Sequence, residues 1–337
     1  MSTERGLAAM RLEMPDEIPH TQYVTHPEWL QHLRRKAGRP EAGIEELLDF
    51  DFRWSTDSPA IPRGRWTDMG HAYWQPDGSD YRLPKPSPFT DVEAIYALDP
   101  REEYGPVDVR AQAAAYQAWY DEARKGTGVI SGGLYRSVVS WAIDAFGWEN
   151  LLTAAGLDPE RFGALLNRWA DYLMAYVEAW ARTDIEVFLT HDDMVWTQGG
   201  IFRPEFYDRY VFANYRRYWD KVKDAGKKVL FCSDGNFTAQ VDAIADAGAE
   251  GFIFEPLTSL DAIVARYGRT HVIMGNADTR VLTFGTPEAV RAEVKRCMDL
   301  GRACPGYFFA VGNHIPPNVP IANAEACIEA YLDLRRR

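Results

Sequence analysis

Short apolar runs alternate with amphipathic helices from about residue 128 to the end of the chain, and this alternation constrains the fold more than any other feature. The runs are too short for helices and lack an alternating polar face, as is typical of strands buried on both faces of a parallel sheet. They cover residues 128–131, 185–190, 228–231, 251–254, 271–274 and 307–311, with 47–54 as an earlier candidate.

The helices between these runs have recognisable boundaries. Asp158-Pro159-Glu160 and Thr286-Pro287-Glu288 each combine an N-cap residue, a proline in the first turn and an early acid. A third helix is predicted over residues 204–226. Repeated alternation of strand and helix indicates a parallel sheet covered by helices. No glycine-rich phosphate fingerprint follows the first strand, so the sequence predicts a (β/α)8 TIM barrel rather than an open sheet.

The N-terminal third of the chain has a different pattern. Residues 53–100 carry seven prolines among several tryptophans and tyrosines, a density that prevents long helices and central strands. We therefore predict an irregular and partly helical cap segment over residues 1–100, packed on a barrel that spans residues 101–337. The aromatic residues of this cap would form either its own small core or the wall of a pocket.

Composition excludes several classes of function. The formal net charge of −12 argues against a nucleic acid as partner, since phosphate binding depends on concentrated lysine and arginine. No apolar run reaches the ~20 residues of a membrane helix, and the N-terminus does not resemble a signal peptide. Four cysteines in 337 residues do not make a disulfide framework, which favours a cytoplasmic location. The sequence leaves the oligomeric state open, a homodimer included.

Polar side chains follow five consecutive predicted strands at the point where each strand ends. In a barrel these ends converge on one pocket, the usual place of the active site, so we expect a small-molecule substrate there. Individually, Asp193 and Asp278 are equally well explained as helix N-caps. The residues are His191, Asp192, Asp193, Cys232, Asp234, Glu255, Asn276, Asp278, Arg280, Asn313 and His314.

These residue types suit metal-assisted or acid–base chemistry. Cys232, Asp234, Glu255 and His314 are predicted to hold zinc or another divalent ion, because thiolate, carboxylate and imidazole are its usual ligands. Asp192, crowded by other carboxylates, is the predicted general acid–base, since neighbouring negative charge raises the pKa of a carboxyl group. The remaining predicted catalytic residues are His191, Asp193, Asn276 and Asp278. The predicted substrate-binding residues are Trp196, Arg203, Arg280 and Asn313.

Read together, several stretches resemble the uroporphyrinogen decarboxylase superfamily. They are DDMVWTQGGIFRPEFYDRYVFANYRRYWDKVKDAGKKVLF at 192–231, IMGNADTRVLTFGTPEAVRAEVKRCM at 273–298 and FFAVGNHIPPNVPIANAEACIEAY at 308–331. WTDMGHAYW at 66–74 resembles the entry segment of the methyltransferase-type members. The resemblance implies a (β/α)8 barrel that serves either tetrapyrrole decarboxylation or zinc-dependent methyl transfer with a corrinoid protein.

The chain departs from both patterns. Methyltransferase-type members carry His-Ser-Cys-Gly where Cys232-Ser233-Asp234-Gly235 stands here, and a second cysteine in place of Asn313. The resemblance thus implies a metal site with permuted ligands. The decarboxylases grip carboxylates with arginines in an N-terminal segment, which Arg35 and Arg39 imitate locally, with Asp57 as the candidate partner.

Three functions follow as hypotheses. The first is metal-dependent methyl (one-carbon) transfer or demethylation of a small substrate, with a corrinoid protein as a candidate methyl acceptor. The second is metal-free decarboxylation of a tetrapyrrole, in which Arg35 and Arg39 hold carboxylates and Asp57 or Asp192 stabilises the pyrrole cation. The third is a non-catalytic corrinoid- or ligand-binding module.

Overall fold

The computed structural model describes residues 2–58, 63–67, 73–74, 80–81 and 86–337. Within these ranges the strands are β1 (Phe52–Arg53), β2 (Tyr73–Trp74), β3 (Asp80–Tyr81), β4 (Val129–Leu134), β5 (Val187–His191), β6 (Val195–Trp196), β7 (Gly199–Gly200), β8 (Lys228–Ser233), β9 (Gly251–Phe254), β10 (Val272–Met274) and β11 (Tyr307–Phe308). Seven of them form one parallel sheet in the order β1-β4-β5-β8-β9-β10-β11, and two short antiparallel pairs, β2–β3 and β6–β7, lie outside it.

A segment near the N-terminus closes the sheet into a barrel. On one side, the Phe309 N–H donates to the Pro19 carbonyl (2.9 Å) and the Thr21 N–H donates to the Phe309 carbonyl (3.1 Å). On the other side, the Asp51 N–H donates to the His20 carbonyl (3.0 Å). Residues 19–21 therefore occupy the eighth position, between β11 and β1, and the predicted (β/α)8 barrel is confirmed.

Helices follow most strands and cover the outside of the barrel. They are α1 (Ser2–Met10), α2 (Pro27–Ala37), α3 (Ile44–Leu47), α4 (Val92–Tyr96), α5 (Pro100–Tyr104), α6 (Val109–Ala123), α7 (Val139–Leu157), α8 (Pro159–Ala181), α9 (Pro204–Phe206), α10 (Ala213–Lys223), α11 (Val241–Ala247), α12 (Leu260–Tyr267), α13 (Thr279–Phe284), α14 (Pro287–Gly301) and α15 (Ile321–Leu334). Among the helices of the described ranges, none combines the length and apolar character that crossing a bilayer requires.

The boundary signals of two helices are confirmed, and one predicted helix is interrupted. Asp158 caps α8 and Thr286 caps α14, each accepting a hydrogen bond from a backbone N–H of the first turn. The predicted helix over 204–226 instead contains a π-helical turn at Tyr207–Phe212. Four of the six side chains in that turn are buried.

Strand residues alternate between two cores. Inward-facing residues such as Val187, Leu189 and Leu230 fill the barrel, and Ala9 and Met10 of α1 pack against the same cluster. The residues between them on each strand face outward and pack against the helices. This alternation fixes which side chains at the strand ends can reach the axis of the barrel.

Two predictions concern the N-terminal third. Pro59, Pro62, Pro76, Pro84 and residues 68–72 of the 66–74 stretch lie outside the described residues. The division of the chain at residue 100 stays a prediction. Both β1 and the closing segment 19–21 precede that boundary and belong to the sheet.

Candidate active site

A cavity of about 480 Å³ opens at the carboxyl ends of the barrel strands. Its volume lies in the range of small-molecule sites. The walls combine aromatic, apolar and carboxylate side chains with one thiol and one guanidinium. The lining residues are Thr21, Gln22, Tyr23, Trp54, Thr56, Ser58, Tyr135, Arg136, His191, Cys232, Ser233, Asp234, Ile253, Phe254, Glu255, Met274, Ala310, Val311 and Asn313.

Strand alternation explains which strand-end residues line the cavity. In β5, Val187 and Leu189 belong to the barrel interior, so the next residue of that set, His191, faces the cavity. In β8, Leu230 is followed in the same way by Cys232 and then Asp234. The pattern therefore brings side chains from separate strands together at the axis.

A second cavity of about 440 Å³ lies against the first. Tyr135, Arg136, Asp234 and Glu255 line both cavities and form the wall between them. The second cavity is also lined by Asp144, Trp148, Asp193 and Trp196. The acidic residues therefore stand at the junction of two spaces.

His191, Asp193 and Asp234 form the cluster that can hold a metal ion within the described residues. One ligand atom from each lies within 4.8 Å of the others. The Asp193 carboxylate is held in place because its Oδ1 accepts a hydrogen bond from the Asp234 N–H (2.9 Å). Of the four predicted ligands, Asp234 belongs to this cluster, whereas Cys232, Glu255 and His314 lie outside it, and their assignment as ligands stays a prediction.

Hydrogen bonding fixes the tautomer of His191. Its Nδ1 lies 3.0 Å from the Tyr135 carbonyl oxygen, which can only accept, so Nδ1 carries the hydrogen. In the neutral ring, Nε2 then carries a lone pair, and it lies 3.5 Å from Asp193 Oδ1. A lone pair facing a carboxylate oxygen is repulsive unless a cation or a proton lies between them. The arrangement is that of an imidazole prepared by a second hydrogen bond for metal ligation.

The electrostatics of the cavity are dominated by crowded carboxylates. Burial, followed by the charges of Asp193 and Glu255, raises the pKa of Asp234 well above its usual value. Burial also raises the pKa of Glu255, although its Oε1 accepts a hydrogen bond from the Gly235 N–H (2.7 Å). Burial and the nearby carboxylates raise the pKa of the Cys232 thiol well above its usual value. Each shift shows that burial, together with the neighbouring carboxylates, makes the ionised form costly here, and a bound cation would offset that cost.

Arg136 is the one cationic side chain among the described residues that line these two cavities. Its Nε donates to Asp144, and both side chains are nearly inaccessible to solvent. The guanidinium therefore already has a carboxylate partner. Little positive charge is left to neutralise the carboxylates or to bind an anionic substrate.

Asp192 is fully buried and does not line either cavity. Its carboxylate accepts hydrogen bonds from the N–H groups of Val138, Val139 and Ser140 and from the Tyr215 hydroxyl. Asp192 lies between His191 and Asp193 in the sequence, and both of these face inward. Because side chains alternate along a strand, the Asp192 side chain points outward to the helices, where it binds the backbone at the start of α7. Asp192 thus supports the fold at the start of α7, and its predicted role as general acid–base stays a prediction.

Several other predicted residues also lie away from the two cavities. Asn276 is buried and donates to the Thr258 carbonyl, and Asp278 caps α13 and pairs with Arg280. Arg280 is largely exposed, and so is Arg203, which precedes α9. None of these side chains lines a described cavity, and their roles stay predictions.

The remaining predicted residues are close to the cavities. Asn313 lines the first cavity, and its Nδ2 donates to Asp234 Oδ2 (3.0 Å). His314 lies behind it, with its Nδ1 2.6 Å from Asn313 Oδ1, and burial lowers its pKa to about 4. Trp196 lines the second cavity, half exposed, with its ring 5.3 Å from that of Trp148.

Sequence reasoning missed the aromatic wall of the first cavity. Trp54 follows Phe52 by two residues on the inward face of β1, and Tyr135 continues the inward face of β4. The rule that candidate residues follow the carboxyl end of each barrel strand (the strand-end rule), if applied to β1 and β4, would have identified both. Gln22 and Tyr23 directly follow the closing segment 19–21, which has no strand pattern in the sequence, so nothing pointed to them.

Comparison with known proteins agrees with this fold. The family model described as uroporphyrinogen decarboxylase (URO-D) matches residues 67–333. The chain is 28% identical to a uroporphyrinogen decarboxylase of Syntrophotalea carbinolica over 71% of this chain and 68% of the relative. It is 25% identical to that of Carboxydothermus hydrogenoformans over 59% of this chain and 56% of the relative. A solved methyltransferase from Methanosarcina mazei shares the fold, with a TM-score of 0.67, 17% identity and 98% coverage of both chains.

Proposed function

Because the chain belongs to the uroporphyrinogen decarboxylase family, we propose that it is a metal-dependent enzyme that transfers or removes a methyl group of a small substrate. The reaction takes place in the cavity at the carboxyl ends of the strands. The observation that carries this proposal is the cluster of His191, Asp193 and Asp234, whose ligand atoms lie within 4.8 Å of one another at the wall between the cavities.

The residues of the cluster fit a divalent ion. One imidazole nitrogen and two carboxylates suit zinc, and equally a harder ion such as manganese or iron. The lone pair of His191 Nε2 and the oxygen Asp193 Oδ1 face the same space, which a cation would stabilise. A bound ion would supply Lewis acidity next to the substrate.

The other residues of the cavity position the substrate. The Gly235 N–H holds Glu255 at the wall, where its carboxylate can bind a positive group or accept a proton. Tyr23 and Trp54 cover the apolar part of the substrate and keep water from it. Asn313 orients Asp234 through a hydrogen bond from its side-chain amide. A corrinoid protein as methyl acceptor is part of the proposal, and cob(I)alamin is its simplest probe.

Tetrapyrrole decarboxylation is the competing function, supported by the names of the curated relatives. It requires cations for the substrate carboxylates. Arg39 pairs with Glu46. Glu46 and Thr127 line the same surface cavity, and Thr127 directly precedes the start of β4, so this pair lies at the amino end of the barrel. Arg35 is exposed near the end of α2, and Asp57 accepts a hydrogen bond from Tyr116. The described cavity walls therefore favour methyl transfer.

Metal analysis tests the proposal directly. Protein purified without added metal or chelator is analysed by inductively coupled plasma mass spectrometry, and we expect about one ion per chain. Asp193→Asn and Asp234→Asn should lose most of that metal. Asp278→Asn, an equivalent change at a helix cap outside the cluster, should retain it.

The reaction is tested on the same samples. Wild-type protein is incubated with a ¹³C-methylated donor and with cob(I)alamin as the methyl acceptor, and the formation of methylcobalamin is followed by absorbance and NMR. Loss of transfer in Asp234→Asn with transfer retained in Asp278→Asn supports the proposal. Wild-type protein that binds no metal, transfers no methyl group and releases CO₂ from a uroporphyrinogen would establish the competing function instead.

A further inference from the structure

The chemistry of the first cavity also indicates the class of its substrate. We propose that the substrate is a small cation that carries methyl groups, such as a quaternary ammonium or a sulfonium compound, bound between an aromatic wall and Glu255. This inference rests on the proposed function, because it names the molecule from which the methyl group comes. Three properties of the cavity carry it: its aromatic rings, its charge and its apolar floor.

Two accessible aromatic rings stand at the cavity wall. Tyr23 is 56% exposed, and its ring centroid lies 6.1 Å from that of half-buried Trp54, with an interplanar angle of 44°. Trp54 also stands nearly perpendicular to Tyr135, at 5.8 Å and 89°. Aromatic rings at such angles offer several electron-rich faces to one ligand, and tryptophan is the strongest of them for cations.

The charge of the cavity matches a single positive charge. Asp234 and Glu255 line both cavities and Asp193 lines the second, so three carboxyl groups stand at this junction. A divalent ion held by the two aspartates would balance their charge and leave that of Glu255. The cavity guanidinium, Arg136, is already paired with Asp144. A monocation would therefore complete the charge balance, whereas an anion would add uncompensated negative charge.

Part of the cavity lining, which we call its floor, is apolar. Ile253, Met274 and Val311 belong to it. These side chains offer contacts to methyl groups but no hydrogen bonds to hydroxyl or amino groups. A cation whose charge is surrounded by methyl groups fits this surface better than an ordinary ammonium ion, which must keep its three hydrogen-bond donors satisfied.

Binding of a matched pair of probes tests the inference. Choline and 3,3-dimethylbutan-1-ol have the same shape and differ in the positive charge, and butyrate serves as an anionic probe. Isothermal titration of the protein as purified should show choline binding at least about tenfold more tightly than the neutral alcohol, with no binding of butyrate.

Variants locate the binding site. Trp54→Leu and Glu255→Gln should each weaken choline binding about tenfold and leave binding of the alcohol unchanged. Tyr23→Leu alters a largely exposed side chain and provides a second aromatic variant if Trp54→Leu does not fold. Trp119→Leu, at an accessible tryptophan of α6 outside the cavity, is the matched control and should bind choline as the wild type does.

The outcomes separate this inference from the proposed function, since metal content is measured on the same protein. Preference for choline that depends on Trp54 and Glu255 supports the inference, with or without bound metal. Equal binding of choline and the alcohol, binding of neither, or preference for butyrate overturns it. A protein that holds one metal ion but shows no preference for choline overturns the substrate class and leaves the metal site intact.

Discussion

Protonation of His20 should weaken the closure of the barrel. His20 lies in the segment between β11 and β1, and the next three residues, 21–23, line the first cavity. Its Nε2 lies 2.9 Å from the Leu48 carbonyl oxygen, so that nitrogen carries the hydrogen. Its ring stacks on Tyr331 at 4.4 Å, and its Nδ1 is buried without a hydrogen-bond partner. A proton on Nδ1 would place an unpaired charge there.

Burial lowers the pKa of His20 from 6.5 to about 4, and Arg5 adds to this shift while Asp49 opposes it. In the unfolded chain the imidazole regains its ordinary pKa, so the unfolded state binds the proton more readily. Above about pH 6.5, His20 is neutral in both states and does not lower the free energy of unfolding. As the pH falls from 6.5 towards 4, the unfolded state takes up the proton first and the free energy of unfolding decreases. Between about pH 7.5 and pH 5 the loss amounts to about 2 kcal/mol.

Urea unfolding at the two pH values measures this loss. A neighbouring group acts in the opposite direction, because burial raises the pKa of Asp51 to about 7 and protonation of Asp51 then stabilises the fold as the pH falls. The quantity to compare is therefore the difference between wild type and His20→Asn at each pH. That difference should shrink by about 2 kcal/mol on acidification.

His32→Gln, at a half-exposed histidine of α2, is the control. It should follow the wild type at both pH values within about 0.5 kcal/mol. The reasoning would be refuted if the free energies of unfolding of the wild type and of His20→Asn changed by the same amount between the two pH values. Burial of a neutral imidazole would then have no energetic consequence.

Two further predictions concern the support of the cavity. Gly133→Ala should destabilise the fold by more than about 2 kcal/mol in urea unfolding, because Gly133 has a φ of +145° and a Cβ there would lie 1.9 Å from the Leu189 carbonyl oxygen. Gly156→Ala, on a helix with open space around it, is the control and should be neutral or stabilising. Similar losses of stability in both variants would contradict the steric account. Tyr215→Phe should lower the free energy of unfolding by about 2 kcal/mol, because it removes a hydrogen bond to the buried Asp192 carboxylate. The metal content per folded chain should not change. A loss of metal would show that Asp192 also serves the site.

The sequence predicted the main strands because each is buried on both faces. The runs at 185–190, 228–231 and 251–254 overlap β5, β8 and β9, and short apolar runs without a polar face are typical of strands buried on both faces. The closing segment was not predicted. Pro19, His20 and Thr21 show no apolar pattern, and their strand pairing depends on Phe309, far along the chain. Long-range pairing of polar residues leaves no local signal.

The candidate site was predicted as a region more accurately than as a set of roles. The strand-end rule located His191, Cys232 and Asp234, which all line the cavity. It does not distinguish inward-facing residues from outward-facing ones, so it grouped Asp192 with them although that carboxylate faces α7. A one-residue difference along a strand reverses the direction of the side chain, and the identity of the residue does not reveal that direction.

The pairing of the first barrel segment with the last has a consequence for biosynthesis. Gln22 and Val311 are 289 positions apart, yet the Val311 N–H donates to the Gln22 side-chain oxygen (2.9 Å), and both residues line the first cavity. A nascent chain on the ribosome has no complete binding pocket until Val311 has been synthesised and has left the exit tunnel. Contacts of such high sequence separation slow folding, so the substrate pocket should be among the last parts of the molecule to form.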